Sequence, residues 1–226
     1  MGGNTRRGMG ITSLFYGPSG TGKTTAAEII AHDLNLDLCR VDLSQVSSKY
    51  IGETEKNLEK IFTAAQQSGA VLLFDEADSI IGKRSEVKES RDQHANQTVG
   101  YLLQAMEQFS GLAVLTTNLP NSIDAAFNRR IKYRIRFDYP TQEQRVKIWE
   151  KNFPVTVPTK NLSYVRLGQA ISSGAAIGKS ALQAAFMAKM EEEPVQMKHV
   201  HRAIVLEGLA EGRRLTSEET YGWDIS

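Results

Sequence analysis

The stretch Gly17-Pro18-Ser19-Gly20-Thr21-Gly22-Lys23-Thr24 fits the pattern G-x-x-x-x-G-K-[ST] in full. Residue types at this spacing suit phosphate chemistry. Glycines let a backbone wrap closely around phosphate oxygens with its N–H groups turned inward, and a helix that starts at the end of the loop adds the positive end of its dipole. Lys23 supplies a mobile cation to the outer phosphates, and the Thr24 hydroxyl is a ligand for Mg²⁺. Gly17, Pro18, Ser19, Gly20, Thr21, Gly22, Lys23, Thr24 and the following Thr25 are therefore the expected cradle for a nucleotide such as ATP.

A second constellation is Val71-Leu72-Leu73-Phe74-Asp75-Glu76, a continuous apolar run that stops at two carboxylates. Such a run suits a strand buried on both faces of a parallel sheet, and ligands of open α/β sheets bind at the carboxyl ends of the strands. Phosphoryl transfer needs one acid to hold hydrated Mg²⁺ and a second group to position the attacking water. Asp75 suits the first role and Glu76 the second. The letters Asp75-Glu76-Ala77-Asp78 also fit a helicase box, but those enzymes carry tandem sheet domains, and only about 60 residues of α/β pattern follow here.

The elements that must position these groups are legible from periodicity. Residues 11–16 read as a strand ended by Gly17-Pro18, and a helix is predicted from Lys23 with Ala27, Ile30, Ala31 and Leu34 on one face. Strands are predicted over 37–43, 70–74, 112–116 and 131–137, and helices over 54–68 and around Val99, Leu102, Leu103, Met106 and Phe109. Strands alternating with helices imply right-handed crossovers and a parallel α/β sheet. After Pro140 only helix signals remain, over 141–152, 162–172, 175–191 and 197–209, the first opened by a capping box from Thr141 to Gln144. The expected architecture is an α/β P-loop sheet subdomain over 1–138 and a small all-helical subdomain over 139–226.

Composition narrows the function classes. The chain has 226 residues, with 27 Lys+Arg against 26 Asp+Glu, so it lacks the basic surplus common in proteins that live on phosphate contacts to nucleic acid. An apolar share of 41% is enough for a core. A single cysteine, Cys39, excludes an intrachain disulfide and reads as a buried thiol in a reducing compartment. No apolar run approaches the roughly 18 residues of a membrane span, and residues 1–10 lack the apolar centre of a signal peptide, so a cytoplasmic protein without a membrane partner is expected. His32, His94, His199 and His201 show no metal-ligand spacing with carboxylates and read as structural or solvated. Lys83 to Asp92 reads as a charged loop.

With both motifs in place, the chain resembles AAA+ ATPases, specifically the AAA subgroup of hexameric unfoldases and remodellers, from about Gly10 to about Gly212. The resemblance implies ATP and Mg²⁺ as cofactors, ATP hydrolysis, assembly into a ring, most commonly a hexamer, and a protein substrate. Asn118, closing Thr116-Thr117-Asn118, matches the family's polar sensor of the γ-phosphate. Arg129 and Arg130, at the end of Ile123-Asp124-Ala125-Ala126-Phe127-Asn128, match the fingers that reach a neighbouring subunit's nucleotide; their adjacency leaves open which one does so. Tyr50-Ile51, within Ser48-Lys49-Tyr50-Ile51-Gly52-Glu53, is similar to the family's substrate-gripping pore loop. Gly174 and Ala175, within Ser173-Gly174-Ala175-Ala176-Ile177, match the lid segment near the adenine, with Gly178-Lys179 where relatives often keep an arginine or asparagine. Trp149 falls where relatives keep a lid residue near the base, and a core position is the alternative. The short stretch before the phosphate loop reads as truncation relative to the family. A weaker resemblance points to bacterial AAA proteins carried with phage-tail-like contractile particles.

Two rival functions share the same engine. A nucleic-acid loader or motor is disfavoured by Tyr50-Ile51 and the balanced charge. A nucleotide-gated scaffold with little hydrolysis is disfavoured by Glu76 and the two arginines.

Overall fold

The computed structural model describes residues 10–43, 53–78, 90–119 and 129–223; for Glu53 and residues 90–98 it describes the backbone only. The predicted pore-loop residues Tyr50 and Ile51, and most of the charged loop 83–92, lie outside these residues. The chain divides into two units, one formed by residues 1–17 and 23–137 and the other by residues 18–22 and 138–226.

The first unit is built on a five-stranded sheet: β1 (Ile11–Tyr16), β2 (Leu38–Asp42), β3 (Val71–Asp75), β4 (Leu112–Thr117) and β5 (Tyr133–Arg136), in the order β2-β3-β4-β1-β5. Every pairing is parallel. Helices α1 (Lys23–Asp33), α2 (Glu53–Ser68) and α3 (Ser90–Gln108) connect the strands. The apolar runs are buried on both faces. Leu14, Leu72, Phe74, Ala113 and Leu115 pack with Leu58 and Phe62 of α2 and Leu102 and Met106 of α3, while Phe15, Val71, Leu73 and Val114 pack with Ala27 and Ala31 of α1. Period-two alternation thus serves two cores at once, which explains why β3 and β4 have no polar face.

The register aligns the strand exits. Tyr16 pairs with Thr117, Phe74 with Leu115, and Asp42 with Asp75. The last residues of β1, β3 and β4 therefore sit side by side at the carboxyl edge, where α1 also begins.

Local chemistry corrects three expectations here. Helix α1 stops at Asp33 rather than including Leu34, because Asn35 turns to φ 52° and the Leu36 N–H returns to the Ala31 carbonyl. This closes the helix in a left-handed C-cap and leaves Leu34 53% exposed. Strand β5 is shorter than 131–137, and all four of its residues are exposed, as befits a strand that pairs, among the described residues, with β1 alone. Cys39 is half-buried rather than buried, and free.

The second unit holds α4 (Gln142–Asn152), α5 (Tyr164–Leu167), α6 (Gly174–Met190) and α7 (Met197–Ala210). The predicted capping box opens α4: Thr141 Oγ1 accepts from the Gln144 N–H, and Gln144 Oε1 accepts from the Thr141 N–H. Small residues Ala181, Ala184 and Ala188 on one face of α6 share a core with Val200, Ala203 and Ile204 of α7, around Trp149, Leu167 and Trp223. The predicted helix over 162–172 is instead the four-residue α5. It ends at Gly168, whose carbonyl accepts from Arg145 Nε at 2.8 Å rather than from a further helical turn, and where a Cβ would lie 2.6 Å from Val146 Cγ2.

Candidate functional site

Lys23 is the first residue of α1 and is buried. Its Nζ donates to the Gly17 carbonyl at 2.8 Å and to Asn118 Oδ1 at 2.9 Å. Burial pushes this ammonium below its ordinary pKa, while Asp75 and Asp78 pull it back up. An ammonium so placed is held by neutral carbonyl-type oxygens that phosphate oxygens can replace with stronger, charge-assisted bonds. Gly17 itself has φ 144°, and a Cβ there would stand 1.9 Å from the Phe137 carbonyl oxygen, so the loop can leave β1 in this direction only as glycine.

One residue further along α1, Thr24 Oγ1 lies 3.2 and 3.4 Å from the two carboxylate oxygens of Asp75. Asp75 ends β3 and is deeply set, with a side chain 12% exposed. A carboxylate only accepts, so burial requires donors around it. Oδ1 accepts from Thr116 Oγ1 of β4 at 2.5 Å, and Oδ2 accepts from Arg40 of β2 at 2.6 Å. A hydroxyl and a carboxylate side by side are the hard oxygen donors that Mg²⁺ selects, so the residues present fit that ion.

Glu76 follows at once and is exposed, with φ 53°. A non-glycine residue in the left-handed region costs of order 1 kcal/mol and persists only where its surroundings hold it. Here its N–H donates to Thr116 Oγ1 at 3.1 Å. The turn releases Glu76 from the strand alternation at the sheet edge. Lys23, Thr24, Asp75, Glu76 and Asn118, predicted from separate stretches of sequence, are thus linked by hydrogen bonds or adjacency at the ends of β1, β3 and β4.

Sequence reasoning missed Arg40 and Thr116. Their signals were a lone cation in the middle of β2 and a hydroxyl at the end of the apolar run of β4. Neither points to Asp75 without the sheet order.

In the second unit, Thr21 Oγ1 donates to the Pro18 carbonyl at 2.8 Å. The Gly20 carbonyl accepts from the Ala175 N–H at 3.1 Å, and a Cβ on Gly20, which has φ 73°, would stand 2.6 Å from Ser173 Oγ. Ser173 caps α6 by accepting from the Ala176 N–H. The predicted Gly174 and Ala175 therefore lie beside the tip of the phosphate loop. Ser19 and Thr25 are exposed, and Gly22 has φ 96°.

Other predicted residues are placed differently. Arg130 Nε lies 2.5 Å from Glu107 Oε1 at the end of α3, whereas Arg129 is exposed. Trp149 is fully buried and stacks on Phe153, which decides for the core position. Lys179 Nζ bonds Glu207 Oε1 at 2.9 Å, joining α6 to α7. His199, read from the sequence as without metal-ligand spacing to carboxylates and as structural or solvated, is buried with its Nε2 3.1 Å from Glu191 and 3.9 Å from Glu193. However, Nδ1 accepts from the Gln196 N–H, which leaves the proton of the neutral ring on Nε2. Lys198 and Arg202 occupy the carboxylates, so this group is an ion-pair network closing the α6–α7 connection.

Comparison with known proteins bears on this geometry. The family described as "ATPase family associated with various cellular activities (AAA)" matches residues 13–139, more than half of the chain. The chain is 33% identical over 196 residues to the uncharacterized AAA family ATPase y4kL of Sinorhizobium fredii (strain NBRC 101917 / NGR234), covering 84% of this chain and 58% of that protein. It is 36% identical over 139 residues to the ATPase family gene 2 protein of Schizosaccharomyces pombe, covering 60% of this chain and 17% of that protein. It is 28% identical over 223 residues to the 26S proteasome regulatory subunit S10B homolog B of Arabidopsis thaliana, covering 94% of this chain and 55% of that protein. The chain thus spans little more than half the length of two of these relatives and under a fifth of the other. Among the described residues, no helix is long and apolar enough to cross a membrane.

Proposed function

The chain belongs to the AAA family of ATPases, and from that premise we propose that it is the ATP-hydrolysing module of a ring-forming machine that remodels or threads a protein substrate. The observation that carries the catalytic part is the bonded cluster of Lys23, Asn118, Thr24, Asp75 and Thr116 beside the left-handed Glu76.

The steps follow from the chain's own groups. Loop 17–22 and the start of α1 receive the phosphates, and Lys23 exchanges the Gly17 carbonyl and Asn118 for phosphate oxygens. Thr24 and Asp75 would hold Mg²⁺, which would neutralise phosphate charge when bound. Glu76, exposed at the strand exit, accepts a proton from or orients the attacking water. Asn118, released by Lys23, would sense the outer phosphate or bond that water. Arg129 or Arg130 completes the site of the adjacent copy, offering a planar donor fork to the charge of the transition state. The loop carrying Tyr50 and Ile51 grips the polypeptide.

In this reading residues 1–138 form the ATPase subdomain and 139–226 the helical lid, with Gly174 and Ala175 beside the nucleotide. The ring is a hexamer working in the cytoplasm. A protein substrate rather than nucleic acid is supported by the balanced charge and by a relative whose name places it in the 26S proteasome.

The test pairs Glu76→Gln with the parent protein. The variant should bind ATP with parental affinity and lose turnover with Mg²⁺; undiminished hydrolysis would remove Glu76 from the mechanism. Sedimentation with and without ATP tests the ring, and a species that stays monomeric with ATP at every concentration overturns it.

A further inference from the structure

We infer that Thr116 is the positioning residue of the acidic pair, one hydroxyl setting both the orientation of the Asp75 carboxylate and the backbone turn that presents Glu76. The inference rests on the reading of Asp75 as the metal-holding acid and Glu76 as the water-positioning one.

Thr116 is 1% exposed, at the penultimate position of β4. A threonine hydroxyl has one proton to donate and lone pairs to accept with. The proton goes to Asp75 Oδ1 at 2.5 Å. A lone pair takes the Glu76 N–H at 3.1 Å. The Thr116 carbonyl takes the next N–H, that of Ala77, at 2.9 Å. Three successive residues at the exit of β3 are therefore bound to a single residue of the neighbouring strand.

The bonds have separate consequences. With Thr116 on Oδ1 and Arg40 on Oδ2, the carboxylate is held from both sides and keeps its remaining lone pairs toward Thr24 Oγ1. The bond to the Glu76 N–H holds a residue at φ 53° that would otherwise relax out of the left-handed region. Valine has nearly the shape of threonine and can make neither side-chain bond. Serine keeps both and loses only the methyl group.

The experiment compares Thr116→Val and Thr116→Ser with the parent. Outer-shell partners of this kind typically govern metal affinity or activity about 10- to 100-fold. Thr116→Val should lower kcat at least roughly tenfold and raise the Mg²⁺ concentration for half-maximal turnover by a similar factor. It should bind a fluorescent N-methylanthraniloyl ATP with parental affinity in EDTA, because the Thr116 hydroxyl bonds Asp75 and the Glu76 N–H rather than Lys23 or the phosphate loop. The gain in that affinity on adding Mg²⁺ should shrink in Thr116→Val and be retained in Thr116→Ser. A packing role gives the opposite order, since serine is the variant that loses volume. Should Thr116→Val fail to fold, Thr116→Ser against Thr116→Ala isolates the hydroxyl, because both lack the methyl group. Parental Mg²⁺ dependence in Thr116→Val, or equal impairment of the serine and valine variants, overturns the inference. Asp75→Asn separates the two levels. If it abolishes the Mg²⁺ gain while Thr116→Val does not, the positioning role fails alone; if Asp75→Asn keeps the gain, the metal-holding reading fails and the inference with it.

Discussion

Lys23 donates to two neutral oxygens, the Gly17 carbonyl and Asn118 Oδ1, which phosphate oxygens can replace with charge-assisted bonds. The same burial that lowers its pKa strengthens any ion pair formed there, because the local dielectric is low. Replacing Lys23 with alanine should weaken nucleotide binding about tenfold or more, given roughly 1.5–3 kcal/mol for a hydrogen bond to a charged group, as read by equilibrium titration. Gly17 makes a different demand. Gly17→Ala must move the Phe137 carbonyl or the start of the loop, so both thermal stability and nucleotide affinity should fall together. A variant of parental stability and affinity would show that the loop leaves β1 by another path.

At the scale of elements, the helices of the second unit are secured at their ends. The box at α4 satisfies two donors reciprocally, Thr141 Oγ1 accepting the Gln144 N–H and Gln144 Oε1 the Thr141 N–H. Thr141→Ala should cost about 1 kcal/mol in chemical denaturation, the usual worth of an N-cap. The segment after α7 is tied down through Glu219, which accepts from the Ile171 and Thr216 N–H groups and pairs with Arg213. Desolvation opposes the charge of this carboxylate, but these donors outweigh it and hold its pKa below the ordinary carboxylate value. The sign follows. The folded chain gives up this proton more readily than the unfolded one, so the contribution is present above the unfolded carboxylate pKa and is lost as pH falls through the lower folded value. Glu219→Gln should therefore lower the melting temperature at neutral pH, and the deficit should shrink as the solution is acidified into the carboxylate range. A deficit independent of pH would assign the effect to packing.

At the scale of the whole molecule, two units with separate hydrophobic cores make separate claims on stability. Trp149 is fully buried in the second. Trp149→Ala should cost that unit about 3–5 kcal/mol, with the α/β unit's own unfolding transition left in place in calorimetry. The paired and exposed arginines bear on assembly. Arg130 is engaged by Glu107, whereas Arg129 is exposed. If the proposed ring completes its sites in trans, ATP turnover per subunit should rise with protein concentration. The arginine whose replacement by alanine flattens that rise, with nucleotide affinity of the monomer unchanged, is the donor to the neighbour; a rise that survives both replacements would exclude the pair.

The phosphate loop, the acidic pair and the parallel sheet were legible in the chain itself because each is local chemistry. A glycine-rich turn before a helix, an apolar run ending in two acids, and a capping box spanning four residues need no distant partner to be recognised. What lies far apart in sequence was not legible. Asp75 is oriented by Arg40 and Thr116, 35 and 41 residues away, and only the order β2-β3-β4 brings them together. Helix α5 ends early because its Gly168 carbonyl finds Arg145, 23 residues back, and Lys179 turns to Glu207, 28 residues on. Residue type and spacing determined which chemistry this chain carries. Tertiary structure alone decided which side chains hold it in place, since a hydrogen bond has a reach of about 3 Å and no memory of sequence distance.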